Sequence, residues 1–132
     1  MSGETNLDHL IRSMAAELHD DVFVFATLPH DAVPHGLSPQ MRFAEAEGET
    51  LILRQAEAQA IGLTYEFPCK MITLNIHSSL EAVGFLARIT AELAKAGMGV
   101  NPVSGFYHDH LFVPLGREGE AMQVLKAMAS AG

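Results

Sequence analysis

The segment His108-Asp109-His110 is the densest concentration of chemistry-bearing side chains in the sequence. Two imidazoles and a carboxylate at this spacing could hold a zinc ion, or a His–Asp pair could serve as a general base. The same residues also suit a hairpin turn, where Asp and His tolerate the left-handed conformation and face solvent. His108 and His110 share a face only where a strand runs regularly through both. His30, Asp31 and His35, in PHDAVPHGLS (Pro29 to Ser38), could complete a metal set, although loop histidines are commonly just solvated. Cys69 is the one cysteine, so it forms no internal disulfide and no cysteine-based zinc site. With no basic cluster beside it, it reads as a small packed hydrophobe rather than a nucleophile. Ser78 and Glu81 stand at capping-box spacing, which accounts for both at a helix N-terminus with or without a ligand. No glycine-rich phosphate loop is present, and no cofactor is expected.

Such residues need elements to position them. Leu7, Leu10, Ile11 and Met14 fall on one helical stripe, capped by Thr5 or Asn6, with Asp8 in the first turn. VFVFATL, Val22 to Leu28, is a strand apolar on both faces. Two prolines and a glycine keep Pro29 to Ser38 from forming a regular helix. Met41–Glu47 and Thr50–Arg54 form a hairpin around Gly48-Glu49, Gln55–Ile61 a short helix, and Leu63–Phe67 a strand. Met71–Ile76 alternates, with Ile72, Leu74 and Ile76 inward and Thr73 and Asn75 outward. A long helix is expected from Leu80, carried by Val83, Leu86, Ile89 and Leu93 and stopping at Gly97. Glycine inside a helix costs about 1 kcal/mol relative to alanine, so Gly84 there needs a packing or ligand reason. Gly99–Tyr107 and His110–Leu115 form a second hairpin, and a last helix runs from about Arg117.

The two halves repeat one order: strand, connection, hairpin, helix. The first connection is a helix in the second half and a proline-rich loop in the first. The expected fold is α+β: two ferredoxin-like βαββαβ units in tandem, with antiparallel sheets, helices on one face, and no first helix in the first unit. The expected division is residues 1–68, the N-terminal helix with the degenerate unit, and residues 69–132. On this reading the N-terminal helix covers the first-half sheet. The chain ends just past the last helix, so the second unit lacks a closing strand, and its open edge favours pairing with another unit or subunit.

Composition bounds the partners. The 132 residues are 48% hydrophobic, enough for a buried core. Eight Lys+Arg against 16 Asp+Glu give a net charge of −8, which argues against nucleic acid and anionic membrane surfaces. No apolar run approaches the roughly 20 residues that span a bilayer. MSGETNLDHL lacks the basic start and apolar stretch of a signal peptide, so a soluble, cytoplasmic protein is expected.

GFLARITAELAKAGMGVNPVS, Gly84 to Ser104, resembles the first helix and second strand of ACT domains, most nearly the regulatory ACT domains of aspartokinases. HSSLEAVGFLARIT and GFYHDHLFVP together look like a bacterial family of small tandem-ACT proteins of unknown function. The likeness covers Lys70 to Ala129 well, and the first half through the repeat. It implies two ACT-like units that bind a small molecule, most often an amino acid, at the strand-to-helix loop and the interface between units. It further implies a homodimer, or a chain acting on a regulated protein partner, with no catalytic residues of its own. Carried across, the site comprises His77, Ser78, Ser79 and Gly84, with Asn101 and Val103 from the second strand. A helix N-terminus there would suit a ligand carboxylate, Ser78 and Ser79 add hydroxyls, and Gly84 admits close approach. The pattern departs from the family in having Val83, rather than Asp, Asn or Pro, ahead of the glycine. Two alternatives stay open: a metal-dependent or acid–base enzyme built on His108, Asp109 and His110, and a ligand-free dimerisation module.

Overall fold

Val22 to Leu28 forms the end of a longer strand that begins at Ala16. The computed structural model describes residues 6–76 and 82–131. Its elements are α1 (Leu7–Ser13), β1 (Ala16–Leu28), β2 (Met41–Ala44), β3 (Glu49–Arg54), α2 (Gln55–Ala60), β4 (Glu66–Leu74), α3 (Phe85–Lys95), β5 (Asn101–Ser104), β6 (Asp109–Pro114) and α4 (Glu118–Ala131). The strands follow the order β2-β3-β1-β4-β6-β5 in an antiparallel α+β arrangement. By its packing the chain divides into two units, residues 21–69 and residues 1–20 with 70–132. Both β1 and β4 run from one unit into the other.

In the unit of residues 21–69, β3 pairs with β1 so that Val24 meets Leu53 and Ala26 meets Leu51. These four side chains and Ala58 of α2 are its buried core, with Val33 and Leu37 of the proline-rich loop packed against them. The loop therefore covers the sheet where a helix is missing. Gly48 turns the hairpin between β2 and β3; a Cβ there would lie 2.6 Å from the Leu28 carbonyl oxygen, so only glycine fits.

The other unit places α1, α3 and α4 on one face of its strands. Leu10, Ile11 and Met14 share a core with Ile72, Leu74, Phe85, Ile89, Leu93, Leu111, Val113 and Leu125. This corrects the expectation that the N-terminal helix covers the first-half sheet: its apolar stripe completes the core formed by α3 and α4. Asn6 caps α1, its side chain accepting the His9 N–H at 2.9 Å.

Two strand boundaries also differ from expectation. Leu63–Phe67 and Met71–Ile76 were expected as separate strands, yet β4 runs unbroken from Glu66 to Leu74. Phe67 takes a φ of +57°, which lets the strand pass through Pro68 without a conventional ladder position for the missing N–H. The long helix expected from Leu80 begins only at Phe85, and Val83, assigned to its apolar stripe, is exposed. The left-handed backbone of Gly84 is the reason, since it interrupts the helical run just ahead of α3.

Candidate functional site

Gly84 occupies the position ahead of α3 with φ +87°, a conformation glycine adopts without steric cost. Its carbonyl accepts the Arg88 N–H at 3.0 Å. That backbone geometry explains the glycine in place of the helix-interior role expected for it. Gly84 offers no side-chain cap, and the first turn of α3 carries no acidic residue. His77, Ser78 and Ser79, and the Ser78–Glu81 capping box, lie outside the described residues.

Asn101 and Val103 sit on β5, paired with Phe112 and His110 of β6. Paired residues project to one face, and Leu111 and Val113 occupy the opposite, helix-covered face. Asn101 and Val103 therefore share the helix-free face with His110, while Gly84 leads into α3 on the other side of these strands.

The histidine segment is more ordered than a solvated turn. The turn occupies Gly105 to His108, closed by the Gly105 N–H donating to the His108 carbonyl at 2.9 Å. Asp109 and His110 belong to β6. Asp109 is buried and accepts from the Ser104 hydroxyl at 2.6 Å. His110 faces the opposite way, its Nδ1 2.9 Å from Thr73 Oγ1. The same hydroxyl lies 2.7 Å from His19 Nε2, giving a chain from His19 through Thr73 to His110. Burial, and then the nearby His108 and His19, push the His110 pKa below its ordinary 6.5, while Asp109 acts in the other direction. Alternation along β6 thus separates Asp109 from His110. Among the described residues, no three His, Cys, Asp or Glu side chains gather where they could hold a metal ion.

The His19–Thr73–His110 chain was not read from the sequence. Alternation places Thr73 on the face opposite Ile72 and Leu74, and that face is covered too, so Thr73 is buried. Only cross-strand neighbours, invisible to periodicity, bring the two histidines to it. Cys69 is buried as expected; its thiol donates to the Phe23 carbonyl at 3.3 Å, and burial pushes its pKa up to about 12.

A second polar cluster lies in the unit of residues 21–69. Glu49, read from the sequence as a turn residue, is buried. Arg42 Nε donates to one carboxylate oxygen at 2.8 Å, and His30 Nδ1 lies 2.5 Å from the other. These two bonds, Arg42 first, lower the Glu49 pKa against the opposing effect of burial. His30, Asp31, His35 and Arg42 line a cavity of about 340 Å³ beneath the proline-rich loop.

Two ACT-domain models match the sequence, over residues 2–70 and 66–127. The chain belongs to the ACT-domain family. This tandem ACT protein is similar to a Vibrio cholerae protein of unknown function, described as a possible transport protein, at 38% identity and a TM-score of 0.85. The likeness covers 93% of this chain and 95% of that one. An Agrobacterium tumefaciens protein aligns at 14% identity and a TM-score of 0.75, covering 88% and 89%. The ligand-free regulatory subunit of aspartate kinase from Thermus thermophilus aligns at 9% identity and 0.67, covering 88% and 96%. The last two likenesses concern the fold alone. No curated protein matches in sequence. No helix among the described residues is long and apolar enough to cross a membrane.

Proposed function

We propose that this tandem ACT protein is a regulatory module that binds a small molecule, an amino acid being the class its family favours, at the loop joining β4 to α3. The observation that carries this reading is Gly84: a left-handed glycine set directly against the start of an eleven-residue helix, with no side-chain cap and no acidic first turn. Backbone N–H groups at such a start attract a carboxylate. His77, Ser78 and Ser79 precede it in sequence and belong to the proposed set, whereas Asn101 and Val103, on the opposite, helix-free face of the strands, do not join it. The module acts as a homodimer, or through a partner chain that carries the regulated activity. Occupancy then matters only through its coupling to a second site or chain.

A thermal-shift screen against the twenty amino acids tests it. At one hundred times Kd a one-site ligand stabilises by about 2.7 kcal/mol, a readily measured rise in melting temperature. A rise with one or a few amino acids, lost in Gly84→Val, is the expected result. A flat panel would leave the dimerisation module in its place.

A further inference from the structure

We propose that the unit of residues 21–69 holds a second ligand site, in the cavity beneath the proline-rich loop, for a small molecule joining a carboxylate to a short aliphatic portion. The cavity, about 340 Å³, is at the small end of the range for ligand pockets. Its cationic anchor is Arg42. The Nε of that side chain is held by the buried Glu49 carboxylate at 2.8 Å, and no hydrogen bond to its terminal nitrogens occurs among the described residues. A guanidinium fixed at Nε keeps two N–H-bearing nitrogens in a planar fork, the arrangement that receives a carboxylate in two parallel bonds. Because Glu49 already orients it, less side-chain freedom is lost on binding.

The aliphatic portion meets the rest of the wall. Val33 and Leu37 line the cavity and are also packed on the core of this unit, so they do not give way when it fills. Pro34 and Pro39 stiffen the loop between them. The loop is further tied by the Ala32 N–H to the Pro29 carbonyl at 3.0 Å and by the Ser38 N–H to Glu57 Oε2 at 2.9 Å. Charge sets the head group. Glu49 balances Arg42, and Asp31 adds one further carboxylate to the lining, so a polyanion is repelled most strongly and a single carboxylate is held by the two directed bonds of the Arg42 fork, not by net charge. This site is remote in sequence from the Gly84 loop and does not depend on it.

Butyrate is the probe. The full chain, labelled with nitrogen-15, is titrated with sodium butyrate, sodium sulfate and sodium chloride at matched ionic strength, and amide shifts are followed. Saturable shifts confined to residues 29–42 with butyrate, weaker with sulfate, are expected. Arg42→Met combined with Glu49→Gln removes the anchor without stranding a buried charge, and should weaken butyrate binding at least tenfold. Shifts identical to those in chloride, tighter binding of sulfate, or unchanged affinity in a double variant that keeps its dispersed amide spectrum would each overturn the proposal.

Discussion

His110 shows how one side chain reports its whole neighbourhood. Burial and the adjacent His19 and His108 hold its pKa below 6.5 in the folded protein, so the unfolded chain takes up the proton first as pH falls. Stability linked to this residue is therefore intact above about pH 6.5 and declines below it. Urea unfolding at pH 7.5 and 5.5 should show a smaller acid-induced loss in His110→Gln than in the parent; equal losses would contradict the assignment. Two glycines give a second, ordered expectation. Gly84→Ala places a Cβ 3.6 Å from Leu7 Cδ2, an ordinary contact, so its cost is the left-handed backbone alone, about 1–2 kcal/mol. Gly48→Ala drives a Cβ to 2.6 Å from the Leu28 backbone oxygen and should cost clearly more by the same measurement. Of these residues the sequence marked Gly84 and His110 for attention. The partners that explain them, a left-handed turn and a threonine on a neighbouring strand, have no local signature.

Among the elements, α1 departs most from its expected place. Its stripe of Leu10, Ile11 and Met14 was legible as periodicity, and periodicity says that a face is buried without saying against what. Leu10 and Ile11 are fully or almost fully buried with α3 and α4. Leu10→Ala should cost about 2–5 kcal/mol and lower hydrogen-exchange protection in α3 and α4. The repeat, both hairpins and α2 were readable from alternation and turn residues. The unbroken β4 was not, since a proline within a strand ordinarily argues for a break, and here Phe67 absorbs it with a positive φ. The start of α3 was misplaced for the converse reason: Leu80 and Val83 continue the apolar spacing beyond the point where Gly84 ends it. The candidate loop itself was located by family resemblance more than by any pattern of its own residues.

At the scale of the whole molecule, residues 21–69 are inserted, in sequence, into a unit whose parts lie on both sides of them. A chain lacking residues 1–20 should lose amide protection across residues 70–131 while residues 21–69 keep theirs, as hydrogen exchange followed by mass spectrometry would show. Uniform loss in both would mean that the two units stand or fall together. The same nesting fixes an order of events during synthesis. Helix α1 leaves the ribosome well before α4, which begins only at Glu118 and against whose Leu125 the side chains of α1 are buried. At about 5–20 residues per second that interval is on the order of 5–20 seconds. Through it the nascent chain carries Leu10, Ile11 and Met14 uncovered, while the unit between is already complete. Translation pauses, and chaperones that hold apolar nascent helices, should therefore influence the yield of this protein most strongly through residues 7–14.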